Sequence, residues 1–261
     1  ITLKDSYGTL IRGENIQVAI SQANKTDNFI LQTNENGIAS LTVNYMPGTY
    51  NVKATYKGDD IYGSAEDSGK ITVNKVLTIV SGFHHKIIPL NGLYTVVLSD
   101  MYGKRINNGT VTLNCYQGKL IKTYTNTTDP NGEASFIIDL AEGTYLTTID
   151  YDGSLWYSDA TNAATIVVDK NAVLESVRLN GTDLVQYYGE NKFFAIDFND
   201  PNAYDQYGKT ITVSISNEKW SQSFEAVTDA FGTARLQIKL NPGEYNVTYK
   251  YSNQYYNIYG S

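Results

Sequence analysis

A stretch written three times constrains this chain more than any other feature. Asn34 to Ser64 reads NENGIASLTVNYMPGTYNVKATYKGDDIYGS, and related text returns as DPNGEASFIIDLAEGTYLTTIDYDGSLWYSD and as DAFGTARLQIKLNPGEYNVTYKYSNQYYNIYGS. Gly37, Gly132 and Gly232 stand 95 and 100 residues apart, and Tyr50, Tyr145 and Tyr245 keep the same intervals. A fixed period of this size identifies a module that is repeated, not a single fold threaded by the whole chain.

Inside each copy the apolar residues alternate. Ile16, Val18 and Ile20 correspond to Val111, Leu113 and Cys115 and to Ile211, Val213 and Ile215. A second run gives Ala39, Leu41 and Val43, then Ala134, Phe136 and Ile138, then Ala234, Leu236 and Ile238; a third starts at each of the three tyrosines. Period two means strands with one face buried and one wet. The turn residues NENG, DPNG and DAFG, and the later PG, EG and PG, fall between the runs. The expected fold class is all-β: tandem sandwiches of about seven antiparallel strands each, in an elongated array.

The middle copy is complete by this reading, from Lys75 to Asp169. Modules at 1–74 and 170–261 flank it, the first without its opening strand and the third without its closing one. Ile1 matches Val96, and Tyr259-Gly260-Ser261 matches Tyr62-Gly63-Ser64. The expectation is therefore a window on a longer array, with neighbouring modules or subunits as partners; strand donation between subunits is the other reading of the gaps. The joints TVNKVL and VVDKNAVL are too short for free tumbling, so a semi-rigid rod is expected.

Composition narrows the function classes. Lys and Arg number 20 against 27 Asp and Glu, a net charge of −7, which leaves no basic face for nucleic acid. No apolar run is long enough to span a membrane as a helix. Cys115 is the only cysteine, so no disulfide forms within the chain. Twenty-two tyrosines suit half-buried pleated surfaces whose side chains keep a polar end in water.

The pattern T-x-x-N-G-x-A, a strand, then G-T-Y-x-V-x-x-x-Y-x-G-D-x-x-Y-x-x-S resembles the bacterial immunoglobulin-like repeats of large surface proteins, closest to those of adhesin-like proteins of methanogenic archaea. Thr33, Asn36, Gly37, Ala39, Gly48, Thr49, Tyr50, Tyr56, Gly58, Asp59 and Tyr62 carry it in the first copy. The second copy has Ser154 for the aspartate. The third departs most, with Phe231, Glu244 and a rewritten Y-x-G-D element. The resemblance implies an extracellular, cell-surface stalk without catalysis. Gly37, Gly132 and Gly232 fit turns that need positive φ. Tyr50, Tyr145 and Tyr245 fit tyrosine corners, in which a phenol bonds to nearby backbone.

The remaining candidates are weighed against structural roles. His84 and His85 are adjacent, so a strand would point them to opposite faces and make them poor joint metal ligands. Cys115 sits at a core position. Asp5, Asp59, Asp60, Asp100, Asp169 and Asp205 are turn aspartates that could also serve calcium at module junctions. Lys75 and Lys170 recur at module starts and suit either solvated linkers or isopeptide cross-links. Five N-x-[ST] sequons, at Asn24, Asn108, Asn126, Asn180 and Asn246, match chance in so Asn- and Thr-rich a chain. Trp156, Trp220, Tyr255 and Tyr256 are candidate sugar-stacking aromatics. They carry the alternative reading, a set of modules binding carbohydrate or cell wall, alone or attached to a secreted enzyme. No catalytic triad, paired carboxylates or phosphate loop stands out, and a non-enzyme is expected.

Overall fold

In the computed structural model, which describes residues 1–253 and 257–261, every helix or strand assigned among the described residues is a strand. By contacts the chain divides into two compact units, Ile1–Val76 with Leu155–Tyr157, and Leu77–Ser154 with Ser158–Ser261.

The first unit contains β1 (Asn15–Gln22), β2 (Lys25–Gln32), β3 (Gly48–Tyr56) and β4 (Ala65–Val73), in one antiparallel sheet of order β2-β1-β3-β4. The alternating residues of β1 and β3 turn Ile16, Val18, Ile20, Tyr50, Ala54 and Tyr56 inward, and Leu3, Ile11 and Ala39 close over them. The facing layer is thin. Only the isolated bridges Thr2↔Ile38 and Lys4↔Leu10 represent it.

The second unit is fuller. β5 (Thr78–Gly82), β7 (Gly92–Asp100) and β10 (Glu133–Ile138) make one sheet of order β10-β7-β5. β6 (His85–Ile88), β8 (Thr110–Gln117), β9 (Lys119–Thr127), β11 (Gly143–Tyr151) and β12 (Ala160–Val168) make the other, of order β6-β12-β11-β8-β9. Consecutive strands switch sheets at β5–β6, β6–β7, β7–β8, β9–β10 and β10–β11, the last three making the Greek-key crossing of an immunoglobulin-like sandwich. Between the sheets lie Tyr94, Val96, Leu98, Val111, Leu113, Ile138, Ile149 and Ile166, all essentially without solvent exposure. Full burial of each such side chain contributes about 1.5–3 kcal/mol.

The same unit continues with β13 (Arg178–Gly181), β14 (Phe193–Asn199) and β17 (Thr233–Gln237) in one sheet and β15 (Thr210–Asn217), β16 (Trp220–Val227), β18 (Asn246–Ser252) and β19 (Asn257–Gly260) in another. Phe194, Ile196, Phe198, Ile211, Val213 and Ile215 form its core.

Four departures from the sequence reading have physical causes. The first copy has four strands where about six were expected, seven less the opening one. Within it, Leu41 and Val43 belong to no strand, although the equivalent Phe136 and Ile138 lie in β10. In β10, Ser135 to Ile138 pair with Thr95 back to Gly92, whereas Ser40 to Val43 have no strand paired to them. β6 runs parallel to β12 rather than antiparallel to a neighbour, because the chain steps from one sheet to the other at Phe83–His84 without reversing. Lastly, Asn257–Gly260 forms β19 on β18, pairing Tyr251 with Ile258 as Tyr151 pairs with Ala160. The third copy thus begins the closing strand that the sequence reading left out, and Tyr259 matches Thr161, not Tyr62.

Candidate functional site

The polar residues common to the copies are assembled around one turn. In the first copy the Asn34 side-chain oxygen accepts the backbone N–H of Asn36 (2.9 Å) and of Ile38 (3.1 Å). Asp129 does the same for Asn131 and Glu133, and Asp229 for Phe231 and Thr233. The glycine that follows sits at φ 64°, 72° and 83° in Gly37, Gly132 and Gly232. Its carbonyl then accepts the N–H of Leu3, Leu98 and Phe198. A Cβ on Gly132 would lie 2.5 Å from the Leu98 carbonyl oxygen, so both the backbone angle and the space require glycine. The preceding threonines, Thr33, Thr128 and Thr228, are buried, and each hydroxyl accepts a backbone N–H, from Glu14, Gly109 and Lys209 respectively.

The tyrosines form a second conserved geometry within the chain. Tyr50 donates its O–H to the Met46 carbonyl at 2.9 Å, Tyr145 to Ala141 at 3.0 Å and Tyr245 to Asn241 at 3.1 Å. All three contacts span four residues, so each phenol fixes the approach to its strand.

Polar residues that are not shared among the copies gather elsewhere, where the second copy meets the third. The Lys209 ammonium contacts the Glu133 carboxylate with side-chain exposures of only 4% and 14%. Beside them the Arg105 guanidinium pairs with Asp205, and Arg105 lies 5.2 Å from the Tyr207 ring centre. Burial pushes the Glu133 carboxyl above its ordinary range, and Lys209, pulling the other way, does not fully offset it. Lys86 donates to the Pro201 carbonyl at 3.2 Å and stands 4.1 Å above the Phe83 ring, whose edge meets Tyr204. Burial lowers the Lys86 ammonium, with Asp200 and Glu175 acting against it. Gly208, at φ 74°, receives the Asn131 side chain, whose oxygen would lie 2.5 Å from a Cβ there.

Sequence reasoning missed this junction. Its signal was present as departures from the repeat: Arg105 stands where the first copy has Leu10, and Glu133 where it has Ile38. Both first-copy residues are exposed. A charged residue in place of an exposed apolar one has, along a repeat, the form of ordinary surface variation.

The other candidates are scattered. Asp5 and Asp100 each accept two backbone N–H groups within their own turns, and Asp59 accepts those of Ile61 and Tyr62. Asp169 accepts that of Asn171. Asp60 lies exposed on the same turn as Asp59. Among the described residues no group of three or more His, Cys, Asp or Glu is placed to hold a metal ion. His84 and His85 are exposed at the crossover between sheets. Cys115 is fully buried, and burial pushes its thiol up to about 11. Lys75 is exposed, and Lys170 makes a solvent-exposed ion pair with Glu142 at 3.1 Å. Trp156 is 48% exposed, on the segment that groups with the first unit. Trp220 instead packs on the third core, edge-on to Tyr245 with ring centres 6.0 Å apart. Tyr255 and Tyr256 lie outside the described residues.

No family model matches the chain, and no curated protein matches it. Among solved structures it is similar to the FN1–FN3 domains of chicken CNTN1, at 10% identity and a TM-score of 0.29, over 91% of this chain and 83% of that one. The repeated immunoglobulin-like sandwich stands on the chain's own sheet order and register.

Proposed function

We propose that the chain is a non-catalytic structural or adhesive segment of a cell-surface protein, a stalk of repeated immunoglobulin-like modules exposed outside the cell. The observation that carries this reading is how the polar side chains are used. Those repeated between copies hold turns and corners of their own sandwich. Among those unique to one copy, Glu133 and Arg105 bind the next copy. Each module supplies length and stability, so repetition itself is the functional property.

The second reading is a carbohydrate- or cell-wall-binding array, favoured by Trp156, which is 48% exposed. Binding of the chain to a panel of surface polysaccharides separates the two. Saturable binding that disappears in Trp156→Ala supports the carbohydrate reading. Absence of binding to every polymer, together with further repeats and a surface anchor in the flanking gene sequence, supports the stalk. A hydrolase domain beside it would overturn the stalk.

A further inference from the structure

The first copy buries a phenol whose oxygen is left unpaired. Tyr56 ends β3 and is only 4% exposed, and among the described residues its buried hydroxyl has no hydrogen-bond partner at bonding geometry. Such atoms are few in folded proteins, because each has given up its water without a replacement.

Two carboxylates flank this phenol. β1 and β3 pair Ile16 with Tyr56, which brings Glu14, two residues before Ile16, to the same end of the sheet. Thr33 pins Glu14 there: its hydroxyl accepts the Glu14 N–H at 3.0 Å, and its own N–H donates to the Glu14 carbonyl at 2.9 Å. Beyond Tyr56 the chain folds back at Gly58, φ 82°, where a Cβ would lie 2.7 Å from the Tyr62 carbonyl oxygen. Asp59 follows, and its Oδ1 accepts the N–H of Ile61 at 2.7 Å and of Tyr62 at 2.6 Å, which orients the carboxylate through one oxygen only. After burial, Asp59 and Glu14 are what act on the phenol, both opposing its ionisation. The ion pairs of this unit are Lys25–Asp27 and Lys53–Glu66, and among the described residues neither Glu14 nor Asp59 has one. A hydroxyl donates one proton and serves one carboxylate, so the second charge stays uncompensated. Glu14 is partly exposed and Asp59 exposed, which leaves a way in for a cation.

The other copies keep the phenol without the charges. Gly109 and Ser154 stand in the places of Glu14 and Asp59 beside Tyr151. In the third copy Lys209 replaces Glu14, and Tyr251 accepts the Asn253 amide at 3.1 Å. The fold therefore needs the ring and not the carboxylates.

We propose that Glu14, Tyr56 and Asp59 form a calcium site, in which two carboxylates and a neutral phenol oxygen are the protein ligands and water completes the shell. Its third ligand is a phenol, so it is not one of the acidic or histidine clusters, of which the described residues hold none. These groups supply fewer than the roughly six to eight oxygens calcium takes, so the expected dissociation constant is about 10⁻⁴–10⁻³ M. The site stands apart from the stalk reading and requires no neighbouring module.

Calorimetric titration of the whole 261-residue chain with calcium in metal-free buffer tests this. Saturable binding is expected, with slowed amide exchange at Asp59–Tyr62 and with tyrosine-sensitised terbium luminescence that calcium displaces. Glu14→Gln and Asp59→Asn should each weaken binding at least about tenfold, since each removes one of two charges on a hard cation. Both variants keep the size of the side chain, and Asp59→Asn keeps an oxygen for the Ile61 and Tyr62 N–H groups. Asp139→Asn, which alters an exposed carboxylate of the second copy, should bind as the parent does. Absence of saturable binding, binding left unchanged by Glu14→Gln or by Asp59→Asn, or equal weakening by Asp139→Asn would overturn the site.

Discussion

At the scale of single residues, the repeated glycine and tyrosine have different energetic weights. Gly132 holds φ 72° with the Leu98 carbonyl closing the space for a Cβ. Gly132→Ala should therefore lower stability by roughly 2 kcal/mol or more, from the left-handed backbone cost plus displacement of the β7 contact. Tyr145→Phe removes only the bond to Ala141 and should cost about 1 kcal/mol. Urea denaturation of the two variants side by side checks the order. Burial also raises the phenols of Tyr56 and Tyr251, from an ordinary 10.0 to about 12. The folded chain then keeps protons that the unfolded chain gives up between those values. Stability is expected to be intact below pH 10 and to fall as pH rises through 10 to 12, the direction set by proton linkage. Parallel tyrosinate absorbance and denaturation curves would test this, and a flat stability profile across that window would contradict it.

At the scale of elements, aligned positions with the same chemistry differ in weight because their surroundings differ. Phe136 on β10 is 3% exposed beneath β7, whereas the equivalent Leu41 is partly exposed and belongs to no strand. Phe136→Ala should cost about 3–5 kcal/mol through the cavity it leaves. Leu41→Ala should cost roughly 1 kcal/mol, since little apolar area returns to water. Thermal denaturation with hydrogen exchange, to assign each transition to its strands, measures both. Equal losses at the two sites would mean that Leu41 is as enclosed in solution as Phe136. The alternation that marks a strand was readable in both segments. Whether the strand forms depends on a hydrogen-bonding neighbour, which alternation does not report.

At the scale of the molecule, the second and third copies share one compact unit, and the contact that joins them is ionic as well as aromatic. Lys209→Met strands Glu133 as a buried carboxylate and is expected to destabilise that unit by about 3–5 kcal/mol, while Lys209→Met combined with Glu133→Leu should come back near the parent. A double-mutant cycle by chemical denaturation gives the coupling directly. Additive losses in the double variant would show that the two side chains do not depend on each other.

Periodicity and turn chemistry determined a great deal by themselves: the all-β class, the repeated unit, and the positions of Gly37, Gly132, Gly232 and the three tyrosines. These follow from local rules, since a side chain's alternation, a positive φ and a bond to a carbonyl four residues away are all written within one short stretch. Tertiary structure alone decided whether the alternating Leu41 and Val43 join a strand and which polar residues meet. Glu133 and Lys209 lie 76 residues apart in the chain, and Ser40 to Val43 lack the neighbour that Ser135 to Ile138 possess. Both outcomes depend on a partner brought from a distance, and no pattern in the segment itself carries that information.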